Sequence, residues 1–140
     1  MEFTIVQGDI AEQEADTLVN AAGTSLQMGS GVAGALRRHA NGPINEEAVS
    51  KGPIDLGAVA VTDAYELDAE YVIHAVAMPH YGDGRATPGS IRAATRNSFE
   101  KADELDCESL VVPVLGTGAA GVRVGAVRDG LGTRGGVLGF

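Results

Sequence analysis

Apolar residues fall along this chain in two rhythms: short unbroken runs, and repeats every three to four positions. Phe3-Thr4-Ile5-Val6 reads as a first strand, ended by Gly8-Asp9. Asp16-Thr17-Leu18-Val19-Asn20 reads as a second, short and largely apolar, as strands buried on both faces are. From Gly31 to Ala40 the residues Val32, Ala35, Leu36 and Ala40 recur at helical spacing. Arg37 and Arg38 sit near that helix's end, where the dipole favours cations, and Asn41-Gly42-Pro43 stops it. Ile44 to Ser50 reads as a short second helix.

Gly57 to Thr62 and Tyr71 to Val76 are two more strands by the same criterion. Met78 to Gly89 holds two prolines and three glycines, which predicts a loop, with the character of a lid. Ser90 to Leu105 reads as a helix with Ile91, Ala94, Ser98, Phe99 and Ala102 near one face, and Leu110 to Val114 as the last clear strand. Strands alternating with helices predict an α/β fold with a mixed or largely parallel sheet. At 140 residues the simplest reading is one domain.

The pattern breaks at about residue 122. Residues 122–140 hold six glycines, three arginines and a single acid, Asp129, with neither helical nor strand period. This bias resembles a GC-rich gene read out of frame. The expectation is a domain over 1–121 and an atypical, disordered or out-of-frame tail over 122–140. The closing elements of the fold would then be incomplete.

Composition narrows the classes. Apolar residues make up 44% and aromatics only 4%, so the core is built from Val, Ala, Leu and Ile. No run approaches the ~20 apolar residues that cross a bilayer, so no membrane association is expected. The opening MEFTIVQGDI lacks the basic and apolar regions of a signal peptide. A single cysteine, Cys107, permits no internal disulfide and fits a reducing, cytoplasmic setting. The net charge of −9 repels duplex nucleic acid. With only two lysines, Lys51 and Lys101, the composition also suits a salt-rich, halophilic cytoplasm. Scarce cations mean that a phosphate-bearing ligand must be held by backbone N–H groups and helix N-termini.

Two glycine loops could do that. Gly29-Ser30-Gly31-Val32-Ala33-Gly34 and Gly116-Thr117-Gly118-Ala119-Ala120-Gly121 share the spacing G-x-G-x-x-G. A Rossmann turn would need the glycines tight against the first strand, but the seven residues Ala21 to Gln27, and Met28 after them, separate Asn20 from the first loop. A nicotinamide-dependent oxidoreductase would also need a substrate domain that this length does not hold. Neither loop has the Lys-Ser/Thr of a P-loop. Each loop alone could be a tight turn. Two at the ends of separate strands are better explained by one ligand crevice.

The ordered series GDI (Gly8 to Ile10), TLVNAA (Thr17 to Ala22), GSGVAGAL (Gly29 to Leu36), GAVAVTDAYEL (Gly57 to Leu67), YVIHAVA (Tyr71 to Ala77) and PVLGTGAAG (Pro113 to Gly121) resembles the macro domain family. The resemblance implies a three-layer α/β/α fold with a mixed, largely parallel central sheet, binding ADP-ribose across the strand ends. It implies that Asp9 accepts a hydrogen bond from the adenine amino group and that Ile10 lines the adenine site. Gly29, Ser30, Gly31 and Val32 then form one diphosphate wall, and Gly116 to Gly121 the other. Asn20 matches the first asparagine of the family's N-A-A-N and organises the loop.

Departures from the family bear on chemistry. The second asparagine, which helps place an attacking water, is Gly23 here, and the acid of one hydrolytic branch is Ala33. The middle glycine of the first loop is Ser30, and the aromatic expected after the second loop is Val122. No strong general base is evident within reach of a reacting water. Two readings stay open: a hydrolase of ADP-ribosyl esters or O-acetyl-ADP-ribose using a substrate phosphate to activate water, and a reader of ADP-ribose or ADP-ribosylated protein without turnover. His74 and Cys107 read as a core histidine and a buried, inert thiol. His39, His74 and His80 with Cys107 show no metal-ligand spacing, so neither metal nor cofactor is expected. Tyr81 could stack on a ligand ring.

Overall fold

The computed structural model describes residues 2–7, 9–29, 31–79, 86–113 and 120–125, the first and last of these by their backbone path alone. Six strands form one sheet: β1 (Glu2–Gln7), β2 (Thr17–Gly23), β3 (Val59–Asp63), β4 (Tyr71–Met78), β5 (Ser109–Pro113) and β6 (Ala120–Gly125). Three helices accompany them: α1 (Gly31–Ala40), α2 (Ile44–Ser50) and α3 (Pro88–Glu104). The strand order is β1-β6-β5-β2-β4-β3. β2 runs parallel to β4 and β5, while β3 is antiparallel to β4, and β6 to both β5 and β1. Four strands (β1, β5, β2 and β4) therefore point one way and two the other, a mixed sheet with a parallel majority.

Alternation along the central strands builds two cores. Leu18 and Ala22 of β2 and Val72 and Val76 of β4 join Ala33 and Leu36 of α1 and Ile44 and Ala48 of α2. Val19, Ile73, Ala75 and Ala77 face the other way, onto Ala94, Phe99 and Ala102 of α3. The helices thus cover both faces, giving the three layers expected. Such two-sided burial explains why TLVNAA and YVIHAVA read as continuous apolar runs. α3 starts two residues earlier than its periodicity predicts, because Thr87 and Ser90 form a reciprocal capping box with Pro88 in the first turn.

Close packing of β3 on α3 depends on Gly57. Its φ is +88°, and a Cβ there would lie 2.9 Å from the Ala93 Cβ. The Gly57 carbonyl accepts a hydrogen bond from Asn97 Nδ2 of α3 at 2.7 Å.

The strandless reading of the tail is corrected at its start. Val122 to Gly125 lie in β6, paired with β1 on one side and β5 on the other. Val-Arg-Val alternates as a strand requires, but the stretch is too short to stand out among the surrounding glycines. Residues 126–140 lie outside the described residues, as do 80–85 of the lid expected over Met78 to Gly89, with His80 and Tyr81; at its ends Met78 closes β4 and Pro88-Gly89 open α3. Among the described residues no helix is long and apolar enough to cross a membrane.

Candidate functional site

The parallel majority sets where a site can form. The carboxyl ends of β1, β2, β4 and β5 open on one edge of the sheet, where crevices of open α/β sheets take ligands. Asp9 follows β1 there, and the first glycine loop follows β2. From β1 to β2 is three strand spacings, about 14 Å, which suits an elongated ligand.

Asp9 caps a 3-10 turn over Ile10–Glu12, one carboxylate oxygen accepting from the Ala11 N–H at 2.9 Å. Its other oxygen stands 3.9 Å from His39 Nε2 near the end of α1. The turn role and the ligand role are compatible, because each uses a different lone pair. Ile10 is buried against α1, and Val32 is half-buried against the same cluster. Glu12 completes a surface trio in which one ligating atom each from Asp9, Glu12 and His39 lie within 4.8 Å of one another. Sequence spacing missed this trio, because the histidine comes from a different element.

In the first loop, Gly31 opens α1 with φ +61°, a left-handed conformation that suits glycine. Gly29 has no such need, yet at both positions an added Cβ would meet nothing within 4 Å. Open space therefore lies against the backbone where the helix begins. Ser30, between them, lies outside the described residues, as do Gly116, Thr117, Gly118 and Ala119. Ala120 and Gly121, expected in the second loop, instead begin β6, opposite Gln7 and Val6 of β1.

Asn20 is 1% exposed and points into the layer beneath the helices. Its Nδ2 donates to His74 Nδ1 at 3.0 Å, and His74 Nε2 lies 3.0 Å from Thr62 Oγ1. The Thr62 hydroxyl donates to the Asp63 carbonyl, so it accepts from Nε2–H. These bonds require the neutral imidazole. Burial, assisted by the charge of Lys51, holds the His74 pKa down at about 4. Asn20 and His74 thus tie β2 to β4 beneath the loop, and neither offers a titrating group to the crevice. The Asn20 Oδ1 is left buried without a partner. Cys107 is buried too, its pKa raised to about 11 by desolvation and by Asp16, Glu70 and Asp106.

A family model described as "Macro domain" matches residues 19–129. An uncharacterized protein of Saccharolobus solfataricus is 44% identical over 126 residues, covering 86% of this chain and 69% of that one. The macrodomain of Thermus aquaticus DarG superposes with a TM-score of 0.69 at 25% identity, covering 81% of this chain and 76% of the other. The Trypanosoma brucei macrodomain solved in complex with ADP-ribose gives a TM-score of 0.59 at 30% identity, covering 69% of this chain and 39% of the other.

Proposed function

The chain belongs to the macro domain family, and we propose from that premise that its crevice binds ADP-ribose, free or attached to protein. The observation that carries the reading is the open space against Gly29 and Gly31 at the start of α1. Among the described residues nothing requires a glycine at 29. A diphosphate approaching the backbone N–H groups at a helix N-terminus does. Asp9, on the same edge, keeps a carboxylate oxygen for the adenine amino group. Ile10, Val32, Ser30 and Gly116 to Gly121 complete the proposed contact set, and Asn20 supports it from below.

Binding without turnover is the favoured form. Gly23 and Ala33 offer no side chain to orient or deprotonate a water. His74, on the neighbouring strand β4, is occupied at both ring nitrogens. Hydrolysis of an ADP-ribosyl ester or of O-acetyl-ADP-ribose would rest on a substrate phosphate to activate water.

Calorimetry with ADP-ribose, alongside NAD and AMP, tests the reading, with ADP-ribose expected to bind tightest. Absence of heat with ADP-ribose at both low and molar salt would refute it. A turnover assay on ADP-ribosylated protein, with Gly23→Asn beside the wild type, separates reader from enzyme: a reader leaves the adduct intact.

A further inference from the structure

A second polar concavity lies behind the first loop. Gly34, Arg37 and Arg38 of α1 and Asn41-Gly42 just past its end, with Met28 and Gly29, line an open groove of about 480 Å³. The volume is that of a small-molecule site. In a chain of net charge −9, two adjacent guanidinium groups on one groove are a local reversal of sign. Arg37 reaches Glu46 only at 4.0 Å, with both side chains exposed, so that pairing is weak. Among the described residues Arg38 has no carboxylate within ion-pair distance.

Gly34 shapes the groove. A Cβ there would lie 3.3 Å from Arg38 Nη1 and 3.5 Å from the Gly29 carbonyl oxygen. The missing side chain lets the guanidinium fold back along the helix over position 34, toward the loop. Asn41 gives its amide to Glu66, so that carboxylate already has a donor.

We infer that this groove is a second anion site, taking the phosphate monoester or diphosphate of a small phosphorylated molecule, separate from the ligand of the crevice. Arg38 supplies the main contact, since a guanidinium matches two phosphate oxygens at once. Arg37 adds charge at the rim. Among the described residues nothing aromatic lines the groove, so recognition rests on the phosphate and not on a stacked base.

The test is titration of the full chain with inorganic pyrophosphate, followed by amide chemical shifts, with and without saturating ADP-ribose. Expected are shifts at Gly34, Arg38 and Asn41, none of them in the crevice's proposed contact set, that persist when ADP-ribose is bound. Arg38→Ala weakens pyrophosphate about tenfold or more, the loss of a charge-assisted contact. Arg38→Lys falls between the two. Gly34→Ala keeps both charges and favours the helix, but crowds the guanidinium, so it too weakens binding. Arg92→Ala, an exposed arginine on α3, changes nothing. The inference is overturned if pyrophosphate shifts no groove amide, if ADP-ribose displaces it completely, or if Arg92→Ala weakens it as much as Arg38→Ala. Failure of ADP-ribose to bind would overturn the crevice reading alone and leave the pyrophosphate result to stand.

Discussion

The Asn20 amide donates to His74 Nδ1 at 3.0 Å across two neighbouring parallel strands. Cα pairing sets the two residues opposite each other, and Thr62 on β3 extends the contact to a third strand. A polar row thus crosses a layer that is otherwise apolar.

That row makes stability depend on pH. The folded-state pKa of His74 is about 4, below the ordinary 6.5, so the folded protein holds fewer protons than the unfolded chain between these values. The contribution is full above about pH 6.5 and is lost as pH falls toward 4. It amounts to roughly 3 kcal/mol in all. Urea unfolding at pH 7, 5.5 and 4.5 should show the decline, and His74→Gln should flatten this part of it. An unchanged slope in the variant would count against the assignment.

Gly57→Ala should destabilise the protein by roughly 2 kcal/mol or more. A φ of +88° strains any L side chain, and the new methyl would sit 2.9 Å from Ala93. Gly29→Ala is the contrast: its Cβ meets nothing, so stability should be nearly unchanged while ADP-ribose affinity falls. Thermal unfolding and calorimetry on the pair separate a glycine kept for packing from one kept for a ligand.

Asp9→Asn divides the two roles of that carboxylate. Asparagine still caps the turn by accepting from the Ala11 N–H, so folding should be unaffected. The ionised oxygen proposed to meet adenine is gone, and ADP-ribose should bind about tenfold more weakly. Equal affinity in the variant would remove Asp9 from the contact set.

Cys107 should resist alkylation in the native state at pH 8 and react fully in denaturant. Its pKa of about 11 leaves almost no thiolate, and its sulfur is buried. Rapid native-state labelling would show the loop before β5 to be open.

Amides of β6 should exchange slowly, as strongly as those of β5, because β6 has a partner strand on each side. Rapid exchange over 122–125 would restore the tail boundary at residue 121 that the sequence pattern suggests.

Much of the fold was legible because its determinants are local. Apolar runs and helical repeats located the strands and helices within a few residues, and motif order along the chain pointed to the family. The open space at Gly29 was foreseeable in kind, since cation scarcity already required backbone N–H groups to meet any phosphate. Other features were decided only when distant segments met. Asn20 finds His74 because β2 lies beside β4, and Asp9 with Glu12 finds His39 because α1 packs on the turn after β1. β6 is a strand because two edges stood ready to pair with it, which the three alternating residues Val122 to Val124 could not announce. Sequence by itself determined the elements and their chemistry, since propensity and periodicity act over a few bonds. Tertiary structure decided which polar groups share a proton and which cations stay free, because those depend on burial and on contacts between residues far apart in the chain.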